Sequence, residues 1–222
     1  MGFKDNLEDN YRHKGLRKML IADVKKKGIT DQKVLKVMSQ IPRHFFFDDA
    51  FLEHAYEDKA FPIGHGQTIS QPYTVAFQTQ LLKIKPGKKI LEIGTGSGYQ
   101  ASILLALGAE VHTIEYNQHL YRETSHFLPR MGFKPHFYCG DGSKGLPQNA
   151  PYDGIVVTAG APTLPETLIK QLKIGGVLVI PVGNNEKQRM IEIEKTASNR
   201  IKKTEHMDFS FVPLLGKHGW NE

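Results

Sequence analysis

The chain has 222 residues, of which 40% are hydrophobic and 23% charged, and its formal net charge is +6. This composition excludes a disordered or a membrane-spanning protein, and the length allows one sizeable core. We therefore expect a single domain over residues 1–222, with an N-terminal appendage (1–71) and a core (72–222). The lysine clusters lack the interleaved aromatic residues of a single-strand-binding surface, so we expect no nucleic-acid partner.

The sequence also favours a cytoplasmic location. No apolar run approaches the ~20 residues that a transmembrane helix needs. Residues 1–10 contain no basic stretch followed by an apolar one, so we expect no secretory signal and no membrane partner. The single cysteine, Cys139, cannot form an internal disulfide, which agrees with a reducing compartment. We further expect a monomer.

The appendage is predicted to be helical at first and irregular afterwards. Apolar residues recur at helical spacing as far as Gly28, which is a typical helix stop. A second helix can be capped by Thr30 or Asp31 and ends before Pro42. Residues 42–71 contain prolines, glycines and many aromatic side chains, which predicts an irregular but packed segment.

The core is predicted to be Rossmann-like. Pro72 suits the first turn of a helix that reaches about Leu82. Strand and helix patterns then alternate, which predicts a doubly wound, mainly parallel sheet with helices on both faces. The predicted strands are 89–93, 110–115, 135–139, 153–158 and 176–181, and the predicted helices are 97–107, 117–131 and 163–173. Residues 188–194 and 207–214 alternate like antiparallel strands at the end of the sheet.

The stretch 88–100, KKILEIGTGSGYQ, is the centre of this predicted core. Three glycines at alternate positions from Gly94 allow a sharp turn and a close approach of the backbone to a ligand. Because Tyr99 follows them, the spacing is not the G-x-G-x-x-G expected for a dinucleotide. Glu92 would repel a diphosphate but suits a positively charged ligand, such as the sulfonium of S-adenosylmethionine.

Acidic residues end the next two predicted strands. Glu115 lies 21 residues past Gly94, the spacing at which a carboxylate can accept hydrogen bonds from both ribose hydroxyls. Asp141 could accept a hydrogen bond from an adenine amino group. Each acid could also be an ordinary solvated or turn residue, and the upstream glycines favour the ribose role for Glu115.

Five motifs, taken in order, resemble the protein-L-isoaspartate O-methyltransferase family. They are IGHGQTISQP (63–72), LEIGTGSGYQ (91–100), GDG (140–142), APYD (150–153) and FVPL (211–214). The glycine motif alone would indicate only a Rossmann-like methyltransferase. The ordered set, which extends over about residues 34–214, is specific to the family.

The resemblance implies methyl transfer from S-adenosylmethionine to the free carboxylate of L-isoaspartyl residues in damaged proteins and peptides. S-adenosylhomocysteine is released, and the ester closes to a succinimide that returns partly to aspartate. Ser70 is then the active-site serine. The predicted substrate-binding residues are Thr68, Ile69, Gln71, Thr158 and Val212. The predicted cofactor-binding residues are Gln67, Ser70, Glu92, Gly94, Thr95, Gly96, Ser97, Gly98, Glu115, Asp141 and Gly142.

The chemistry needs little from the side chains. A carboxylate with a pKa of about 4 is already ionised at neutral pH, so the nucleophile needs no general base. The Ser70 hydroxyl would orient the carboxylate, although the same serine could simply be a helix-start residue before Pro72. The ten histidines show no H-x-x-x-H or H-E-x-x-H spacing, so we expect no metal.

Three other functions stay open at this point. An RNA methyltransferase would commonly carry an Asn/Asp-Pro-Pro-aromatic loop after the fourth strand, where this chain has Val157-Thr-Ala-Gly160. A nicotinamide oxidoreductase is disfavoured by Tyr99. A non-catalytic cofactor-binding module is disfavoured by the intact segment 68–70.

Overall fold

The computed structural model describes residues 8–220. Residues 1–7 lie outside it, and they make up most of the N-terminal stretch in which we expect no secretory signal. The appendage begins with helices α1 (Tyr11–Lys26) and α2 (Gln32–Gln40). The Asn10 side chain caps α1, and Asp31, not Thr30, caps α2 by accepting from two backbone N–H groups. Among the described residues, no helix has the length and apolar character needed to cross a membrane.

The segment predicted to be irregular contains regular structure. It forms two short 3-10 helices, Arg43–Phe46 and Asp49–His54, followed by an antiparallel hairpin of β1 (Phe61–Gly64) and β2 (Gln67–Ile69). The sequence did not reveal the hairpin because strands of four and three residues are too short to show a period of two.

The core is a seven-stranded sheet with helices on both faces, which confirms the predicted fold class. Its helices are α3 (Pro72–Leu81), α4 (Tyr99–Ala106), α5 (Gln118–Arg130) and α6 (Glu166–Lys170), and its strands are β3 (Lys89–Ile93), β4 (Glu110–Glu115), β5 (His136–Cys139), β6 (Tyr152–Val157), β7 (Leu172–Gly183), β8 (Gln188–Ala197) and β9 (Arg200–Phe209). The order is β5-β4-β3-β6-β7-β8-β9. Strands β3 to β7 are parallel, and β8 and β9 are antiparallel.

Two predicted elements differ from the structure. The helix predicted over 163–173 is limited to α6, because β7 already begins at Leu172 and pairs with β6. The strand predicted over 207–214 is β9 instead, which ends at Phe209. Beyond it the backbone leaves the sheet and bonds to Gly160, whose N–H donates to the Val212 carbonyl at 2.8 Å.

Two hydrophobic clusters hold these layers together. The larger one joins the appendage to the sheet, since Val24 and Phe46 belong to the same buried cluster as Ile90 and Val156. The smaller one is built around Leu91, Ile155 and Leu178. Neighbouring residues of a strand point to opposite faces, so Ile90 and Leu91 belong to different clusters.

Candidate active site

A cavity of about 350 Å³ opens at the carboxyl ends of β3, β4 and β6, and we call it the inner cavity. Twelve predicted site residues line it: Gln67, Thr68, Ile69, Ser70, Gly94, Thr95, Gly96, Ser97, Glu115, Gly142, Thr158 and Val212. They come from β2 and the residue after it, the turn after β3, the ends of β4 and β6, the segment after β5 and the segment after β9. The fold therefore gathers residues that are up to 145 positions apart.

The glycine turn, residues 94–98, contributes residues 94–97 to the floor of this cavity, whereas Gly98, a predicted cofactor-binding residue, does not line it. Gly94 has a φ of 97° and Gly98 a φ of 84°, in the left-handed region that glycine adopts without strain. A Cβ atom on Gly98 would lie 2.7 Å from the Leu128 side chain. The Thr158 hydroxyl donates to the Gly94 carbonyl at 2.7 Å and so ties the turn to the end of β6. The absence of side chains at Gly94 and Gly98 thus lets the turn pack against Thr158 and Leu128.

Glu115 lies at the end of β4, beside the glycine turn. Its Oε2 accepts from the Gly96 N–H at 2.8 Å and its Oε1 accepts from the Asn117 N–H at 2.9 Å. Each carboxylate oxygen has a further lone pair. The carboxylate is thus oriented by backbone groups while remaining able to accept from a ligand hydroxyl at the cavity wall.

Glu92 does not line the inner cavity. It is fully buried and pairs in register with Thr113 of β4, whose hydroxyl donates to Glu92 Oε2 at 2.5 Å. The Thr113 hydroxyl is also 2.7 Å from that of Thr95, in the glycine turn. Burial raises the pKa of Glu92 to about 8. The side chain is therefore neutral at pH 7 and supports the turn from behind, instead of facing a cationic ligand.

Ser70 lies just before α3 and lines the inner cavity. It is not the helix cap: Gln71 occupies that position without a capping bond, and Asp58 Oδ1 accepts from the Tyr73 N–H at 2.7 Å. The sequence did not reveal this role of Asp58, since the two partners are 15 positions apart. The Ser70 hydroxyl is therefore not needed for capping.

A second, more open cavity of about 690 Å³ adjoins the first, and we call it the outer cavity. Thr68 and Ser70 line both cavities, whereas Gln71 lines only the outer one. The Gln71 amide donates to the Asp58 backbone carbonyl at 3.0 Å. The remaining wall includes apolar and charged residues from before β1, from before β8, and from β9 and the residues after it: Lys59, Lys187, Met207, Asp208, Phe209 and Phe211.

Asp141 does not line the inner cavity either, although the adjacent Gly142 does. Its Oδ1 accepts from the Ser143 hydroxyl at 2.6 Å, and its Oδ2 accepts from the Lys217 N–H at 3.0 Å. Burial would raise the pKa of Asp141, but these hydrogen bonds outweigh it and lower the pKa. Asp141 thus fastens residues 212–220, the C-terminal strap, which also bonds to Gly160 through the Trp220 indole N–H.

The other residues that line the inner cavity are not among the site residues predicted above. They are His65, Val75, Ile93, Tyr99, Gln100, Ile114, Tyr116, Asn117, Ala159, Pro213, Leu214 and Leu215. Tyr116 and Asn117 directly follow Glu115, so their position in the chain was the only available signal. His65 lies in the turn between β1 and β2, which the sequence did not predict.

Two groups of potential metal ligands occur within residues 8–220, and neither lies at the cavities. One is Asp9, His13 and His44 in the appendage, and the other is Glu110, His112 and His136 at the amino ends of β4 and β5. The first group is already engaged: Asp9 binds Arg17, and both ring nitrogens of His44 have hydrogen-bond partners. The carboxyl ends of the strands, where the inner cavity lies, are at the opposite edge from the second group.

The sheet and the site together define a class of protein. A glycine turn after β3 that faces an acid at the end of the neighbouring β4 is typical of Rossmann-like enzymes that bind a nucleoside cofactor. The antiparallel strands β8 and β9 extend the same sheet. The sequence profile of the protein-L-isoaspartate(D-aspartate) O-methyltransferase family matches residues 15–219. The chain belongs to this family.

Similar proteins agree with the family match over nearly the full chain. The protein-L-isoaspartate O-methyltransferase of Cytophaga hutchinsonii is 57% identical over 215 residues, which cover 97% of both chains. That of Flavobacterium psychrophilum is 53% identical over 210 residues, 94% of this chain and 98% of the relative.

Two solved structures are similar in fold. A protein-L-isoaspartate O-methyltransferase matches with a TM-score of 0.80 and 29% identity, over 91% of this chain and 66% of that one. A Plasmodium falciparum beta-aspartate methyltransferase in complex with S-adenosyl-L-homocysteine matches with a TM-score of 0.76 and 27% identity, over 94% of this chain and 99% of that one.

Proposed function

We propose that this protein transfers the methyl group of S-adenosylmethionine to the free carboxylate of L-isoaspartyl residues in damaged proteins and peptides. The observation that carries the proposal is the position of Ser70 and Thr68, which line both the inner and the outer cavity. A small cofactor and a peptide can therefore reach the same hydroxyl from two sides. Family membership and the cofactor product bound in the Plasmodium falciparum relative support the same assignment.

The inner cavity fits the cofactor. Its volume of about 350 Å³ is at the lower end of the range for small-molecule sites. The glycine turn places Gly94 and Gly96, which have no side chains, at the cavity floor, and the Glu115 carboxylate can accept from ribose hydroxyls. Ser97 and Gly142 complete the wall near these groups. Because Glu92 is neutral and Asp141 binds the C-terminal strap, we do not assign either of them a direct contact with the cofactor.

The outer cavity fits an extended peptide. Aromatic and apolar side chains of β9 and the residues after it, together with Lys59 and Lys187, can contact the chain on both sides of an isoaspartyl residue. Gln71 is held by Asp58 at the wall of this cavity. Thr158 and Val212 line only the inner cavity, so their predicted substrate contacts would be made near the reacting carboxylate.

The residues of the chain then have a limited chemical task. When bound, S-adenosylmethionine supplies an electrophilic methyl group that a carboxylate oxygen accepts as a methyl ester. The Ser70 hydroxyl donates a hydrogen bond that orients this carboxylate. No general base is required, because the carboxylate is ionised at neutral pH.

Ser70→Ala tests this role. Removing the hydroxyl should lower kcat on an isoaspartyl peptide by roughly 10- to 100-fold, because orientation is lost. The Kd of S-adenosylhomocysteine should change by less than about fivefold, since a single hydrogen bond of about 1 kcal/mol at most is lost. Thr79→Ala, at a buried threonine on α3 that lines neither cavity, is the matched control. An unchanged kcat in Ser70→Ala would remove Ser70 from the mechanism.

One assay separates the proposal from its rivals. Purified protein is incubated with labelled S-adenosylmethionine and with two peptides that differ only in having an aspartyl or an isoaspartyl linkage. Base-labile label on the isoaspartyl peptide alone is the expected result. Label on RNA, label on both peptides, or no label would contradict the proposal.

We also propose that the enzyme is a monomeric, cytoplasmic, single-domain protein that uses no metal and has no nucleic-acid or membrane partner. The shared hydrophobic cluster supports one domain, since it joins appendage and core. The single Cys139 supports a reducing compartment. Light scattering after gel filtration should give a mass near the 25.0 kDa of one chain, and a dimer mass would contradict the monomer.

A further inference from the structure

Arg43 is a fully buried arginine that contacts the backbone of the active-site serine. Its Nη2 donates to the Ser70 carbonyl at 2.9 Å, and its Nε donates to the Ala55 carbonyl at 3.1 Å. Within residues 8–220, no carboxylate forms an ion pair with it. Burying a cation without a paired anion is costly. Stability alone therefore gives a poor reason for an arginine at this position.

The same guanidinium also reaches the cofactor side of the site. Its Cζ lies 4.7 Å from the centre of the Tyr99 ring, a distance at which a desolvated cation is attracted to an aromatic face. Tyr99 is the first residue of α4, directly after the glycine turn, and it lines the inner cavity. One rigid, planar group thus links the backbone of Ser70 to the helix that follows the glycine turn.

The buried cation remains charged under ordinary conditions. Burial lowers the pKa of Arg43 to about 10, although the nearby Tyr99 and the Asp58 carboxylate oppose this change. The guanidinium is therefore protonated at neutral pH, and its Nε and Nη2 donate to the two carbonyls, whereas the buried Nη1 has no hydrogen-bond partner in the part of the chain that the structure describes. A lysine would keep the charge but could not bridge the same two carbonyls in one plane.

We propose that Arg43 is a positioning residue, which fixes the Ser70 hydroxyl relative to the glycine turn. Arg43 lines neither cavity, so it acts through Ser70 and Tyr99 and not by touching the substrate. The inference rests on the proposed function, because it concerns the same methyl transfer. It adds a requirement to the proposed function: Arg43, a residue of the appendage, sets the position of Ser70 relative to the glycine turn.

A double-mutant cycle tests this requirement. Arg43→Gln and Arg43→Lys are each made in the wild type and in Ser70→Ala, and kcat, KM and the Kd of S-adenosylhomocysteine are measured. In the wild type, Arg43→Gln should lower kcat by roughly tenfold, since small misplacements of orienting groups have large effects. In Ser70→Ala it should lower kcat by less than about twofold, because the hydroxyl that it positions is absent. The Kd should change by less than about threefold in both.

Arg17→Gln is the matched control. Arg17 is also a buried arginine of the appendage, but it binds Asp9, the Ser39 carbonyl and the Tyr56 hydroxyl, none of which lines the inner cavity. This variant should melt at a lower temperature than the wild type and keep its kcat. A merely structural role for Arg43 would make the two arginine variants alike.

The outcomes distinguish a positioning role of Arg43 from a merely structural one. Equal losses of kcat from Arg43→Gln in the two backgrounds, or a similar loss of kcat in Arg17→Gln, would overturn the inference. If Arg43→Gln does not fold, Arg43→Lys replaces it in the same cycle. Binding of S-adenosylhomocysteine then verifies that Arg43→Lys is folded. Additive effects of Arg43→Lys and Ser70→Ala on kcat would again overturn the inference. A wild type that is inactive on the isoaspartyl peptide overturns the proposed function itself, which the Arg43 comparison does not.

Discussion

Replacing Gly98 with alanine adds one Cβ atom to the glycine turn at a point where the structure leaves no room for it. The new atom would lie 2.7 Å from Leu128 Cδ1 and 2.9 Å from its Cγ. Leu128 is fully buried on α5, and its branch carbon cannot move away without repacking. Gly132 has the same φ of 84° but no atom within 4 Å of a built Cβ, so Gly132→Ala isolates the backbone cost.

The cost of the left-handed backbone and the cost of overpacking against Leu128 can be estimated separately. An alanine in the left-handed region costs about 1–2 kcal/mol, and overpacking of a core adds about 1–3 kcal/mol. Gly132→Ala should therefore cost about 1–2 kcal/mol and Gly98→Ala about 2–5 kcal/mol of the free energy of unfolding. For a domain of this size, 1 kcal/mol lowers Tm by about 2–4 °C, so Gly98→Ala should melt about 2–12 °C below Gly132→Ala.

Thermal unfolding and calorimetric titration with S-adenosylhomocysteine measure both effects. Gly98→Ala should also bind this ligand more weakly than the wild type, because the adjustment around Leu128 shifts the glycine turn at the cavity floor. Gly132→Ala should bind it like the wild type. Equal melting temperatures for the two variants, or undiminished binding by Gly98→Ala, would refute the argument that the turn is packed against α5.

Two further predictions concern acids that the structure places outside the inner cavity. The pKa of Glu92 is raised from 4.5 to about 8, so folding takes up a proton between these values and the free energy of unfolding decreases as pH rises through that window. Glu92→Gln should abolish this decrease in urea unfolding, and an unchanged slope would show that Glu92 is ionised. Asp141→Ala should free the C-terminal strap, giving faster tryptic cleavage at Lys217 and weaker S-adenosylhomocysteine binding. The exposed Asp23→Ala is its control, and equal cleavage of the two would mean that other contacts hold the strap.

Local patterns were sufficient for the main features of the core. The apolar run before Gly94 and the acid 21 positions later belong to adjacent parallel strands, and β3 and β4 begin and end where the sequence predicts. Buried parallel strands are continuous apolar runs, and the glycines mark the turn that follows them. These signals depend only on residues that are neighbours in the chain.

The sequence by itself thus determined the fold class, the glycine turn after β3 and, through ordered motifs, the family. Only the tertiary structure decided which acids face the cavity. Glu92 pairs in register with Thr113 and is buried in the core. Asp141 is hydrogen-bonded to the C-terminal strap. Asp58, and not Ser70, accepts a hydrogen bond from the first turn of α3. The direction of a side chain depends on partners that are distant in the chain, and spacing along the sequence carries no information about such partners.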